Sequence, residues 1–326
     1  MIKVVGTGSY LPERIMTNVD LEKIVKTSDD WIIQRTGIKE RRIASDDEST
    51  SDLGYKAAKK ALENADMVPD DLDMIIVGTS TPDYPIPAVA PIIQKKLGCT
   101  KHIFSFDVNS VCTSFTTAFL TAYGFISSGL YKNCLVIGAD TYSRILNWQD
   151  RGTCVIFGDG AGAVILEKDE AKKGILSYQY KADGKGADYI RIPVGGSKNP
   201  LRDISKYNEE DMLFQMDGKR VYEFTILCVP EMAETLIKNA GLIPNEVDWI
   251  VLHQANLRII DAVAKRLGLS KDKFVVNIDK TGNTSSASIP IAMDEAVREG
   301  KIKEGDKIMM IGFGGGLSWG GVIFEW

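Results

Sequence analysis

Three side chains of kinds that cooperate in acyl chemistry stand far apart in this sequence: the thiol of Cys112, the imidazole of His253 and the carboxamide of Asn283. Cys112 sits where a strand-like run, HIFSFDV, gives way to TSFTTAFLTAYGFISSG, about four turns of helical spacing without a charge. Unpaired N–H groups at a helix start favour a thiolate, and the thiolate is the nucleophile. His253, one of two histidines with His102, closes a second strand-like run, DWIVLH. Asn283 opens GNTSSASIP, ahead of another uncharged helix. Taken singly, Cys112 also reads as a small buried apolar residue and His253 as a structural one.

Together, a cysteine, a histidine and an asparagine suit two chemistries. In a papain-like hydrolase the histidine deprotonates the cysteine and the asparagine orients the histidine. Neither a QxC nor a CGSCW context occurs here, which argues against that fold. In the other chemistry the cysteine carries an acyl group. The histidine and asparagine then donate to a thioester oxygen that becomes negative as a carboxylate leaves as carbon dioxide, and the enolate attacks the acyl-cysteine. GFGGGLSWGG near the C-terminus can bring backbone N–H groups to an oxyanion, and reads equally as a tight turn between strands.

The elements that must position these groups recur along the chain. Strands are expected at Lys3–Ser9 and Asp73–Ser80, in KNCLVIGAD and in GAGAVILEK, with helices near Thr50–Ala65 and ending near Leu97. Segments beginning at Asp73, at Cys112 and at KNCLVIGAD have echoes about 175 residues later, in DWIVLHQAN, GNTSSASIP and GDKIMMIGFGG. The expectation is one compact unit of two similar α/β halves, residues 1–170 carrying the cysteine and 171–326 the histidine and asparagine, joined by a charged connector at Lys168–Gly174. Mainly parallel sheets would be covered by helices, with the two uncharged helices between them, in five alternating layers. Strand ends and helix starts of such halves converge at their interface, where sites form.

Composition narrows the classes. Of 326 residues 44% are hydrophobic and 25% charged, as in a soluble globular protein. No run of eighteen apolar residues or secretory leader is visible, so the expected compartment is the cytoplasm, with no membrane partner. The five cysteines form no CxxC pair and have no histidine at ligand spacing, which argues for free thiols and no metal site. A net charge of -5 repels nucleic acid, although TSDDWIIQRTGIKERR concentrates Arg35, Lys39, Arg41 and Arg42 beside Trp31. Such a cluster suits a planar ring and phosphates, while the Trp also reads as packing on its own domain. GTGSYL lacks the third glycine of a dinucleotide fingerprint.

Across nearly the whole chain the segments SDDWIIQRTGIKERR, DVNSVC, YSRILNWQDRGTCVIFGDGAGAV, MDGKRVYEF, LHQANLRII, GNTSSASIP and GFGGGLSWG resemble, in order, the β-ketoacyl-acyl carrier protein synthases III of the thiolase superfamily. The resemblance implies a five-layered αβαβα homodimer. It places Cys112, His253 and Asn283 on the family's catalytic triad, with Cys112 and Gly315 as oxyanion-hole amides. It implies loading of an acyl group from a coenzyme A thioester and condensation with malonyl-acyl carrier protein, coenzyme A entering as substrate with no further cofactor. Trp31 and Arg151 would flank the adenine, Arg35 would meet the phosphates, Asn256 would lie along the pantetheine arm and Arg258 would dock the carrier protein.

Departures from the family pattern gather around the primer pocket: Thr113-Ser114 after the cysteine in place of a small residue and glycine, Thr281 for a tyrosine, and Ile86-Pro87-Ala88 for Phe-Pro-Ser. Ile86 would widen the partner subunit's pocket, and the hydroxyls of Thr113, Ser114 and Thr281 would favour a more polar primer than acetyl. A thiolase would need a second cysteine beyond Cys228, and a chain-elongating synthase a second histidine where Asn283 stands. A starter-unit condensing enzyme or acyltransferase of the same fold is the alternative reading.

Overall fold

Alternation along the strands sorts the core into layers. In the computed structural model, which describes residues 2–171 and 174–326, strand Met74–Gly78 turns Met74 and Ile76 to one face and Ile75 and Val77 to the other, all fully buried. Ile75 and Val77 pack with Leu135, Ile137 and the outer-helix residues Leu53, Ala57 and Ile93. Met74 and Ile76 join Phe115, Phe119, Ile289, Met293, Met310 and Phe324, a core drawn from both halves. A third core sets Ile250, Leu252, Met309 and Ile311 against Val229, Leu236, Ile260 and Val263 of two further helices. The result is the expected five layers: outer helices Thr50–Asn64 and Val89–Leu97, a sheet, the middle helices Ser114–Ser127 and Ser288–Arg298, a second sheet, and outer helices Gly218–Asn239 and Leu257–Leu267. Lys172 and Lys173 of the expected connector lie outside the described residues.

The two sheets share one order. The first runs Ile2–Tyr10, Asp159–Lys168, Asn133–Thr141, Met74–Gly78, Phe104–Val108; the second runs Ile175–Ala182, Ser318–Glu325, Lys307–Gly314, Trp249–Leu252, with Phe274 bridging Ile250 where a fifth strand would lie. Mainly parallel pairing is not what forms. In each sheet the last-named strands pair in parallel, while the others are antiparallel. Parallel neighbours need a helical crossover, and Thr141 to Asp159 and Gly314 to Ser318 are joined without one.

The middle helices approach the sheets through glycine. A Cβ on Gly162 would lie 2.6 Å from the Ile291 nitrogen and 2.7 Å from Pro290 carbon, both backbone atoms that cannot swing aside. Gly162→Ala is therefore expected to destabilise the fold by about 1–3 kcal/mol, read as a lower urea midpoint at unchanged slope.

An insertion made of hairpin Arg14–Thr17 with Glu40–Ile43 encloses helix Asp29–Thr36, which Ser28 caps by accepting from the Trp31 N–H at 3.2 Å. It docks on the second half, Lys39 N–H donating to Asp279 O at 3.0 Å. Here the basic cluster divides. Arg41 is wholly buried and donates to Met16 O (3.2 Å), Asn18 Oδ1 (2.8 Å) and Val155 O (2.7 Å), with burial drawing its pKa down to about 10. Arg42 is half-buried and donates to Pro12 O. Arg41 thus staples the insertion to the body, and Arg35 and Lys39 remain exposed.

Candidate active site

Twin turns carry the nucleophile and the asparagine. Each middle helix is preceded by a single 3₁₀ turn, Val111–Thr113 and Ser285–Ala287, and each turn opens on a residue at φ 51°, Val111 and Ser285. A β-branched residue in this left-handed region is strained, and such strain persists where surrounding contacts impose it. Both turns are pinned alike: Val111 N–H donates to Asn109 Oδ1 (3.2 Å) and Ser285 N–H to Asn283 Oδ1 (2.8 Å). The second bond orients the Asn283 amide, so its Nδ2 hydrogens are the ones left for the cleft. Backbone bonds to Ile156 O (2.9 Å) and from Gly158 N (3.0 Å) hold Asn283 against the first half.

His253 extends the strand Trp249–Leu252, its N–H donating to Ile311 O at 2.9 Å. Nδ1 lies 2.7 Å from Ser288 Oγ, which also accepts the Gln254 N–H at 3.3 Å, so Ser288 can hold Nδ1 by donating its own hydrogen. In that arrangement the neutral ring carries its hydrogen on Nε2. Burial lowers the His253 pKa to about 3, and the ring, edge-to-face with Phe313 at 5.0 Å, stays neutral. Unfolding exposes a histidine of ordinary pKa near 6.5, which takes up a proton that the folded one refuses. The stability this group carries is complete above about pH 6.5 and is lost as pH falls toward 3. Denaturant midpoints should decline over that interval, with a shallower decline in His253→Gln.

Cys112, His253 and Asn283 line one cleft with Val111, Asn256, Phe313 and Gly314, around about 680 Å³ of empty space partly open to solvent. Ser285 Oγ donates to Cys112 Sγ at 3.5 Å, and the cysteine's own N–H also faces the sulfur. Even so, burial pushes the thiol up to about 12. The thiolate expected from the helix start does not prevail at rest, because a helix end contributes about 0.3–1 kcal/mol, less than one pKa unit, whereas full burial shifts a pKa by about 3–5 units. Gly314 is the glycine against the nucleophile: a Cβ there would stand 2.8 Å from Cys112 Cβ and 3.1 Å from Sγ. Gly315 lies one step on, beside Val111 and Ile190.

Trp31 lies outside the cleft lining, with guanidiniums over its ring, Arg151 at 4.7 Å and Arg35 at 5.4 Å from the centroid. Asn256 joins this cluster to the cleft: Oδ1 caps helix Leu257–Leu267 through the Arg258 N–H (2.9 Å), and Nδ2 donates to Arg35 O (3.0 Å). Arg258 is exposed on the first turn of that helix.

Residues 106–184 match the profile of 3-oxoacyl-[acyl-carrier-protein] synthase III, and 237–326 that of its C-terminal part. The chain is 47% identical to the β-ketoacyl-[acyl-carrier-protein] synthases III of Desulfitobacterium hafniense (strain Y51) and Clostridium acetobutylicum, in each case over 100% of this chain and 98% of the relative. It belongs to the β-ketoacyl-[acyl-carrier-protein] synthase III family. This synthase superposes on the crystal structure of the synthase III of Aquifex aeolicus VF5 with a TM-score of 0.92 and 43% identity, covering 100% of both chains. The priming β-ketosynthase of the R1128 polyketide pathway superposes equally well, at 0.93, but with 33% identity over 100% of this chain and 96% of that one. The synthase is therefore a condensing acyltransferase, and the starter-unit alternative is not favoured.

The cleft is lined by other residues than those expected around the primer. Thr113 Oγ1 donates to Ser110 O (2.7 Å), Ser114 Oγ to Val111 O (2.6 Å) and Thr281 Oγ1 to Asn277 O (3.1 Å), and none of the three residues is among those lining the cleft. Hydroxyls at the start or end of a helical turn reach the backbone first, so their hydrogens are not offered to the cleft. The wall beyond Cys112 is instead Tyr142, Phe157 and Phe214, with Ile190 and Met216. Tyr142 and Phe157 stack at 4.6 Å, and Phe214 meets both edge-on. Sequence reading missed this wall; its one trace is the aromatic content of TYSRILNW and CVIF. The Lys185–Asp211 loop contributes Ile190 to this wall and continues through 3₁₀ turns at Leu201–Lys206 and Glu209–Met212. Ile86 is 87% exposed and takes no part in its own cleft.

Proposed function

We propose that the synthase loads an acyl group from a coenzyme A thioester onto Cys112 and condenses it with malonyl-acyl carrier protein, the initiating step of fatty acid biosynthesis. One observation carries this reading: a nucleophile and two neutral donors, the Nε2–H of His253 and the Nδ2 of Asn283, meet in a single buried cleft. In the first step the Cys112 sulfur attacks the thioester carbonyl, the C–S bond to coenzyme A breaks, and the proton lost by Cys112 leaves on the coenzyme A thiol. In the second, the malonyl carboxylate departs as carbon dioxide and its bonding pair passes into an enolate. His253 and Asn283 hold the enolate oxygen. The enolate carbon then attacks the acyl carbonyl, and the Cys112 sulfur leaves and regains a proton. A neutral pair suits this task, since an imidazolium would need a proton the site disfavours. The amides of Cys112 and Gly315 are assigned to the tetrahedral oxyanion.

In this reading Trp31 and Arg151 sandwich the adenine, Arg35 meets the phosphates, Asn256 flanks the pantetheine arm and Arg258 receives the acidic carrier protein. The protein works as a cytoplasmic homodimer, Ile86 and the exposed Tyr84 reaching the partner's acyl pocket. No helix among the described residues is long and apolar enough to cross a membrane. Coenzyme A is a substrate, and no other cofactor enters the reaction. The apolar wall of Tyr142, Phe157 and Phe214 suits a short apolar primer.

Incubation with a panel of acyl-CoA thioesters, with intact mass for Cys112 and then addition of malonyl-acyl carrier protein, tests the reading. Acylation followed by a β-ketoacyl product is the expected result; acylation without condensation would return the alternative acyltransferase. Arg151→Ala should raise KM for acyl-CoA by about 3- to 30-fold with little change in kcat, the loss of one cation–π partner in uniform binding.

A further inference from the structure

A directed string of hydroxyls ends at the nucleophile. Asp140 is wholly buried, and one carboxylate oxygen accepts the hydroxyls of Thr79 (3.1 Å), Ser80 (3.2 Å) and Thr81 (2.8 Å), while the other accepts the N–H (3.0 Å) and hydroxyl (2.6 Å) of Ser286. The first of these oxygens also accepts the Ser80 N–H at 2.8 Å, so Ser80 is held to Asp140 by its amide as well as by its hydroxyl. Ser80 Oγ also lies 3.1 Å from the phenolic oxygen of Tyr142, and with Ser80 donating to Asp140 it accepts the Tyr142 hydrogen. The Tyr142 oxygen has only lone pairs left for Ser285, its other hydroxyl neighbour. Ser285 in turn has one hydrogen and two acceptors, the Tyr142 oxygen and Cys112 Sγ at 3.5 Å.

While the thiol keeps its proton, the neutral sulfur is a weak acceptor of the Ser285 hydrogen. Once the sulfur is anionic, the charged acceptor is the stronger, and the hydrogen turns to it. We propose that Ser285 is a catalytic residue of the synthase, its hydroxyl being the donor that stabilises the Cys112 thiolate, with Tyr142, anchored through Ser80 to Asp140, competing for the same hydrogen. The other groups facing the sulfur do not serve. Asp140 and Tyr142 from the first half oppose a thiolate, and His253 from the second is neutral with Nδ1 engaged by Ser288. The proposal rests on Cys112 as the nucleophile.

The test is the pH dependence of Cys112 alkylation by iodoacetamide, followed by intact mass, with Cys112→Ala correcting for the four other thiols. Ser285→Ala keeps the backbone N–H that orients Asn283, and Ser285→Gly repeats the measurement with a residue suited to φ 51°. Both are expected to alkylate about tenfold more slowly at a given pH, one unit of apparent thiol pKa. Acylation by acyl-CoA should slow in parallel. Tyr142→Phe, which removes the competing acceptor, should alkylate at least as fast as wild type. Superimposed profiles for wild type and Ser285→Ala would overturn the proposal, as would a Tyr142→Phe enzyme as slow as Ser285→Ala. Alkylation needs no substrate, so these outcomes are separate from failure of the wild type to form any acyl-cysteine, which would overturn the nucleophile reading itself.

Discussion

Cys112→Ala is expected to lower β-ketoacyl formation by roughly 10⁴-fold or more, yet to leave decarboxylation of malonyl-acyl carrier protein measurable. The two parts of the site are built by different segments. The sulfur hangs from the turn at Val111–Thr113, whereas the donors belong to the strand end at His253 and the turn after Asn283, each held by bonds that do not involve the thiol. Removing Sγ therefore abolishes the acyl carrier and leaves the enolate-stabilising pair in place. Released carbon dioxide or acetyl-carrier product, read against a protein-free control, checks the uncoupling. Loss of both activities together would mean that the cysteine also shapes the donor pair.

The complementary variants, His253→Ala and Asn283→Ala, should each lower condensation by roughly 10²–10³-fold, the usual effect of deleting one donor to a developing oxyanion. Acylation of Cys112 should survive, since neither side chain bonds the sulfur. A pre-acylated enzyme mixed with malonyl-acyl carrier protein isolates the affected step. The pH profile sharpens the point. With its pKa lowered to about 3, His253 carries no charge throughout pH 5–8, so condensation by acyl-enzyme should show no inflection near 6.5. A rate that rose as pH fell through 6.5 would require the imidazolium and contradict the neutral pair. Ser288→Ala, which frees Nδ1 from its donor, should lower condensation less, because the ring retains its place beside Phe313.

How much of this was legible before folding varies by residue. Cys112, His253 and Asn283 could be brought together from sequence because the echo of strands and helices implied a pseudo-twofold, and strand ends and helix starts meet there. The basic cluster shows what pattern reading overlooked. Arg41 lies on strand Glu40–Ile43, whose alternation buries Arg41 and Ile43 together, so the period of two that predicts a core applied to a charged residue as well. Thr113, Ser114 and Thr281 show the opposite case. Their polarity was legible, but the turns that aim it at backbone carbonyls were not.

By itself, then, the amino-acid order carried the resemblance to the family, while local periodicity and the echoed segments carried the duplicated five-layered architecture and the expectation that Cys112, His253 and Asn283 meet. Only the tertiary structure decided that burial opposes the thiolate, that Ser288 faces Nδ1 of His253, and that Tyr142 and Ser285 stand beside the sulfur. The physical reason is that local dielectric and the direction of a hydrogen bond belong to no single segment. They arise where strands Met74–Gly78, Asn133–Thr141 and Trp249–Leu252 and the two strained turns come to face one another, and each group's charge and hydrogens are settled by neighbours scores of residues away.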